Sequence, residues 1–102
     1  MFNSIKSWID VPYQYKPFLG RNGAGTKQYD EPVSSFCYPV GDVKLVTDAT
    51  GAEVTSTTQL YVPGTERIKV TDSVIFNAEE RPILRIVDYY RDGQVDIRVV
   101  HL

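Results

Sequence analysis

Residues 42–62 have the sequence DVKLVTDATGAEVTSTTQLYV, and we expect the rest of the chain to be organised around this stretch. Val43 and Leu45 alternate with Lys44 and Val46 before the DATG segment at 48–51, and the run after it is rich in β-branched residues. Asp48 can hydrogen-bond its own backbone at the start of a turn, and Gly51 can adopt the positive φ that closes a short loop. We therefore predict a hairpin of two strands, and we expect the later strands to extend this ribbon into a sheet.

Strand patterns also occur at residues 11–15, 33–40 and 73–76. Residues 82–90 and 94–102 flank the dipeptide Asp-Gly at 92–93, which is a strong signal for a hairpin. In this last hairpin we expect Ile86 to pack against Ile97 and Val99 in the core, with Arg98 facing solvent. Frequent turn signals without a long helical pattern predict an all-β fold, a small antiparallel barrel or sandwich of about six or seven strands.

The length of 102 residues predicts one domain spanning residues 1–102. The formal net charge of −2 argues against nucleic-acid binding through bulk charge, although a local basic patch is compatible with it. A single cysteine, Cys37, excludes an intramolecular disulfide. No run approaches the ~20 apolar residues of a membrane helix, and the first residues lack the apolar centre of a signal peptide. We expect folding in a reducing cytoplasm and no contact with a membrane.

Apolar residues recur at helical spacing near the N-terminus, at Phe2, Ile5 and Trp8. Residues 1–10 are therefore predicted to form a short helix or docking arm, which packs on the barrel or on a neighbouring subunit. Together with Tyr29, these three residues are our candidate assembly contacts.

Residues 16–32 show neither helical nor strand periodicity, and they contain three glycines within six positions. A loop of this length in a small domain is usually functional or disordered. We expect it to project from the barrel, either as a flexible connector or as a loop that becomes ordered only on assembly.

Enzymatic chemistry has little support in the sequence. His101 is the only histidine, so neither a nucleophile–base pair nor a zinc cage is indicated. The spacing of Gly20 and Gly25 matches a phosphate-binding loop, but Thr26 and Lys27 stand in the reverse order and no strand-to-helix context surrounds them. We expect no enzymatic activity, no cofactor and no metal. Base stacking on the tyrosines of an oligonucleotide-binding barrel is a further alternative.

Several segments, in this order, resemble the head-closure proteins of tailed bacteriophages, also called stoppers or head–tail joining proteins. They are PVSSFCY at 32–38, DATGAEVTSTTQLYVPG at 48–64, IKVTDSVIF at 68–76, ERPILRIV at 80–87 and DGQVDIRVVHL at 92–102. The middle segment is similar to a family signature at Asp48, Gly51, Glu53, Val54, Ser56, Pro63 and Gly64. The resemblance covers nearly the whole chain.

The resemblance implies a structural protein of the virion, assembled in the bacterial cytoplasm, that forms a homo-oligomeric ring at the head–tail interface. The implied partners are the portal or adaptor protein on the head side, a tail terminator or tail-completion protein on the tail side, and packaged double-stranded DNA, bound non-specifically. The long loop would project into the DNA channel and gate it. The implied gating residues are Gly20, Arg21, Asn22, Gly23, Ala24, Gly25, Thr26 and Lys27. Alternatives are an adaptor or tail-completion protein of the same connector, or a free small-barrel binding module for a peptide or oligonucleotide.

Overall fold

The computed structural model describes residues 9–48 and 50–102, which contain eleven β-strands and no helix. The expected all-β fold is confirmed. Of the predicted N-terminal helix or docking arm at residues 1–10, residues 1–8 lie outside the described residues. The strands are β1 (Val11–Lys16), β2 (Phe18–Arg21), β3 (Lys27–Tyr29), β4 (Val33–Val40), β5 (Lys44–Thr47), β6 (Glu53–Ser56), β7 (Gln59–Pro63), β8 (Ser73–Phe76), β9 (Glu79–Pro82), β10 (Arg85–Arg91) and β11 (Gln94–His101).

Seven of these strands form one antiparallel sheet, in the order β10-β11-β7-β4-β1-β8-β9. The sheet curls into a half-barrel. The other four strands form two separate two-stranded hairpins, β2–β3 and β5–β6. Among the described strands, β10 and β9 are therefore the two edges of the large sheet.

The hairpin predicted within residues 42–62 is present but shorter than expected, and it does not organise the sheet. Asp48 accepts hydrogen bonds from the backbone N–H groups of Thr50 and Ala52, and Gly51 has a φ of 87°, so the predicted turn chemistry is confirmed. The returning strand ends at Ser56, however, and a new strand, β7, begins at Gln59. The expectation of one continuous central ribbon was wrong.

The interruption between β6 and β7 has a physical cause. The backbone N–H of Thr57 donates to the carbonyl of Leu102, and the N–H of Leu102 donates to the carbonyl of Thr58. These two bonds tie the strand junction to the end of the chain. Gln59 and Ser56 are both fully buried and hydrogen-bonded to each other. The chain thus turns out of the small hairpin and enters the large sheet between β4 and β11.

The core lies inside the curl of the large sheet. The buried apolar residues that form it are Tyr13, Tyr15, Cys37, Leu60, Val62, Ile68, Val74, Ile83, Val100 and Leu102. The strand predicted at residues 11–15 is present as β1, in which Tyr13 and Tyr15 are buried while the residues between and beside them are exposed or half-buried.

The last hairpin turns at Asp92 and Gly93, which both have positive φ, as predicted. The cross-strand partners in this hairpin differ from the expectation. Ile86 is paired with Val100, not with Val99. Arg98 lies on the face of Val100, where it donates to the carbonyls of Glu66 and Ile68 and pairs with Asp88. The solvent position predicted for Arg98 was wrong, because β11 is buried on both faces and alternation could not distinguish them.

Candidate functional site

Within residues 16–32, the segment from Phe18 to Tyr29 forms a β-hairpin rather than a structureless loop. Strands β2 and β3 pair antiparallel, with Phe18 opposite Tyr29 and Arg21 opposite Lys27. The register shifts between Phe18 and Gly20, where Gly20 has a φ of 120°. Such an irregularity removes the alternation of side chains, and β3 has only three residues, so the sequence shows no strand periodicity here.

The tip of the hairpin is closed by its own hydrogen bonds. The side-chain Oδ1 of Asn22 accepts from the backbone N–H groups of Ala24 and Thr26, at 2.9 and 3.0 Å. The Nη1 of Arg21 donates to the carbonyl of Gly25 at 2.9 Å, and Gly25 has a φ of 82°. The single chain therefore already supplies the contacts that shape the tip. The expectation that this segment is flexible, or becomes ordered only on assembly, stays a prediction.

The base of the hairpin is anchored to the segment before β8. The backbone N–H of Phe18 donates to Oδ1 of Asp72, and Oδ2 of the same carboxylate accepts from the N–H of Lys69, each at 2.8 Å. The Phe18 ring also packs edge-on against Tyr29, with ring centroids 5.7 Å apart. Asp30 closes the base by donating its N–H to the carbonyl of Pro17. The anchor thus combines a buried carboxylate, an aromatic pair and a backbone bond.

The tip, in contrast, stands in open space. Residues 21–28 are all exposed. A Cβ atom added to Gly20, Gly23 or Gly25 would meet no other atom within 4 Å. Among the described strands, β2 and β3 pair only with each other. The hairpin is therefore an arm that is fixed at its base and free at its end.

A cleft of about 480 Å³ separates one side of the arm from β8, β9 and their flanking residues. Arg21 and Lys27 line it from the hairpin, Glu80 and Arg81 line it from β9, and Asp72 lines it from the segment before β8. The carboxylate of Glu80 pairs with Lys16 at 2.7 Å and accepts from Ser73 at 3.1 Å, and these contacts lower the pKa of Glu80. Both carboxylates of the cleft are therefore already engaged.

The buried titratable groups are not poised for chemistry at neutral pH. Burial raises the pKa of the Cys37 thiol to about 12, and burial together with the charge of Glu66 raises the pKa of Tyr13. Burial and the nearby cations Lys44 and Arg85 lower the pKa of His101. At pH 7 the thiol and the phenol stay protonated, so neither supplies a nucleophile. The described residues contain no group of three or more His, Cys, Asp or Glu side chains that could hold a metal ion.

The structure brings all the candidate gating residues together in the arm. Tyr29 lies at its base, half-buried against Phe18. Phe2, Ile5 and Trp8 lie outside the described residues. Sequence inspection missed Asp72, the residue that holds the arm, because it is 54 positions from Phe18 and nothing in the segment at 68–76 links it to the hairpin.

Comparisons with protein-family models, with curated proteins and with solved structures found no match for this chain. In the part of the chain that the structure describes, no helix has the length and apolar character needed to cross a membrane. The anchored arm and the cleft beside it are thus the features from which a function can be inferred.

Proposed function

We propose that this chain is a structural protein of the neck of a tailed bacteriophage, where several copies form a ring beneath the portal or adaptor protein. In that ring the β2–β3 arm points into the DNA channel and closes it after packaging. The opposite face of the ring receives the tail through its terminator or completion protein. The resemblance in sequence suggests this role, and the geometry of the arm is the observation that supports it best.

A channel gate needs an element that keeps its shape while it reaches away from the body of the protein. The arm meets this requirement, because its tip is closed by Asn22 and its base is held by Asp72. It must also let DNA pass when the genome is released. Residues 16–32 carry three cations against Asp30 and Glu31, a formal charge of +1, and Lys16 is already paired with Glu80. So few phosphate contacts would not hold the DNA firmly.

Assembly into a ring is compatible with the exposed apolar surfaces of the protein. Large apolar side chains are exposed on β5 (Leu45, 67%) and just before it (Val43, 73%), and on the edge strand β10 (Tyr90, 68%). Exposed edge strands can accept an extended segment from a neighbour. Head-to-tail contacts repeated about an axis close into a ring. We expect the free protein to be largely monomeric and to form the ring when it docks on the particle.

The proposal is tested with particles that carry a shortened arm. In one variant, residues 22–26 are replaced by a two-residue turn. The control is Gly23→Ala, because a Cβ at this position meets no atom and Gly23 has no positive φ. Both variants should fold and enter the neck, as shown by electron microscopy of the particles. Only heads with the shortened arm should lose packaged DNA. Full genome retention by particles that contain the shortened protein would contradict the gate.

An oligonucleotide-binding module remains the second candidate, favoured by the aromatic pair Phe18 and Tyr29 beside the cations of the cleft. A pull-down with labelled single-stranded DNA at physiological salt separates the two. A neck protein should show no appreciable affinity as a single copy under these conditions. Tight binding would favour the module. A reconstruction of the neck would show which layer the chain occupies, and so distinguish a stopper from an adaptor or tail-completion protein.

A further inference from the structure

Two cations face each other near the end of the arm. Arg21 and Lys27 are cross-strand partners in the β2–β3 register, and both are exposed. Like charges directly opposite each other destabilise a strand pair. The ion pairs of the described residues include Lys16–Glu80 and Arg98–Asp88, and within residues 9–48 and 50–102 neither Arg21 nor Lys27 is in an ion pair with a carboxylate. The arm thus carries a repulsive pair whose charge is not balanced within the described part of the chain.

The surroundings of this pair favour an anion. Arg21 and Lys27 line the cleft together with Arg81, which donates to the hydroxyl groups of Thr57 and Thr58. The two carboxylates of the cleft are compensated, because Asp72 accepts two backbone N–H groups and Glu80 pairs with Lys16. The guanidinium of Arg21 uses one nitrogen for the carbonyl of Gly25, which leaves other N–H donors for a ligand. A bound anion would therefore relieve the repulsion and find free donors.

We infer that Arg21 and Lys27 form a phosphate contact, through which the arm touches the phosphodiester backbone of double-stranded DNA. The choice of DNA rests on the proposed function, which places the arm in the channel. A two-stranded ribbon has the width to enter the major groove, and a guanidinium can bind a phosphate through two parallel hydrogen bonds. With two cations per copy, each arm holds DNA weakly, and the copies in a ring contact the duplex together. The arm would thus center the DNA without trapping it.

The test is an NMR titration of the full chain, labelled with ¹⁵N, with a short DNA duplex of arbitrary sequence. At about 50 mM salt, amide signals of residues 20–28 and of the facing cleft should shift as duplex is added. Two phosphate contacts predict that affinity falls roughly tenfold between about 50 and about 200 mM salt. The double variant Arg21→Gln with Lys27→Gln should weaken binding by about tenfold at the lower salt. The exchange Arg21→Lys with Lys27→Arg should retain most of it.

The matched control is the double variant Lys44→Gln with Arg91→Gln, which removes the same charge from exposed positions that do not line the cleft. It should bind like the unmodified chain. Equal loss in both double variants would overturn the inference, since only bulk charge would then matter. The inference would also be overturned if the amide signals shifted only on other surfaces, or if no binding occurred at low salt. Equal signal shifts with polyglutamate would overturn it too, because they would indicate a carboxylate ligand.

This outcome is separable from that of the proposed function. If the chain is absent from phage necks but the purified protein binds duplex through Arg21 and Lys27, the ring proposal fails and the phosphate site stands. If the chain is found in the neck and the glutamine double variant binds DNA as well as the unmodified protein, the phosphate site alone fails.

Discussion

The Asp72 carboxylate accepts a hydrogen bond of 2.8 Å from the backbone N–H of Phe18, a residue 54 positions earlier in the chain. The other oxygen of the same carboxylate binds the N–H of Lys69, so one buried side chain joins the base of the arm to the loop that leads into β8. The arm makes no strand pairing with the large sheet among the described residues. Asp72 therefore determines how firmly the arm is held.

Replacing Asp72 by Ala should loosen the arm and lower the free energy of unfolding by about 2–3 kcal/mol, because two partly buried N–H donors lose their acceptor. Asp72→Asn should cost less, since its amide oxygen can still accept one of the bonds. Urea denaturation measures the loss. Limited trypsin digestion should cut faster after Arg21 and Lys27 in the alanine variant. Unchanged cleavage at these sites would show that the anchor lies elsewhere.

Gly64 should tolerate no side chain. A Cβ at this position would lie 1.9 Å from the backbone carbonyl oxygen of Val95, so β11 would have to move. We expect Gly64→Ala to cost about 3 kcal/mol or more, as overpacking against a rigid backbone does. Gly41→Ala is the control, because the added Cβ has no neighbour within 4 Å and no positive φ is required. Similar unfolding midpoints for the two variants in urea would disprove the close approach.

Arg98 should be a major source of stability in the last hairpin. Its side chain pairs with Asp88 at 2.8 Å and donates to the carbonyls of Glu66 and Ile68. Arg98→Met keeps much of the volume but leaves Asp88 and two carbonyls without their donor, so we expect a loss of about 2–4 kcal/mol. Asp88→Asn should cost less, because the bonds to the carbonyls remain. Thermal unfolding of both variants checks this order, and the reverse order would refute the assigned role.

Acidification should weaken the fold through His101 before the carboxylates contribute. Burial, and then the charges of Lys44 and Arg85, lower the pKa of His101 below the ordinary value of 6.5, so the unfolded chain takes up its proton first. The contribution of His101 to the free energy of unfolding is fully present above that ordinary pKa. It is lost as the pH falls toward the lower pKa that His101 has in the folded protein. The unfolding free energy should therefore fall as the pH drops through the ordinary value of 6.5 and on toward the lowered pKa of His101 in the folded protein. His101→Gln should flatten this slope, and Lys44→Gln should reduce it.

Local turn chemistry was the most predictable part of the structure. The turns at Gly51 and at Asp92–Gly93 adopt the positive φ that their sequences require, because these requirements depend on neighbouring residues alone. The all-β class followed from the same signals. The break between β6 and β7 was not predictable, because its hydrogen bonds come from Leu102, more than forty residues away.

The site was predictable in position but not in form. Its glycines marked residues 16–32 as exceptional, yet the irregular pairing near Gly20 concealed a hairpin, and nothing near Asp72 indicated that it would anchor one. In β11, Ile97, Val99 and Val100 are all buried, on both faces of the strand. The alternation of apolar and polar residues identifies the core face of a strand only where the opposite face is exposed to solvent. The inward orientation of Arg98 could therefore not be predicted.

The strand order also has a consequence for biosynthesis. Strand β1 lies between β4 and β8, and β7 lies between β4 and β11, so neither of these inner strands gains its second neighbour until the later part of the chain has left the ribosome. Such distant pairings usually make folding slow, roughly milliseconds to seconds. In a nascent chain stalled before residue 94, the edge of β7 that pairs with β11 would be unpaired. Chaperones could bind this edge, or it could pair with another chain and aggregate.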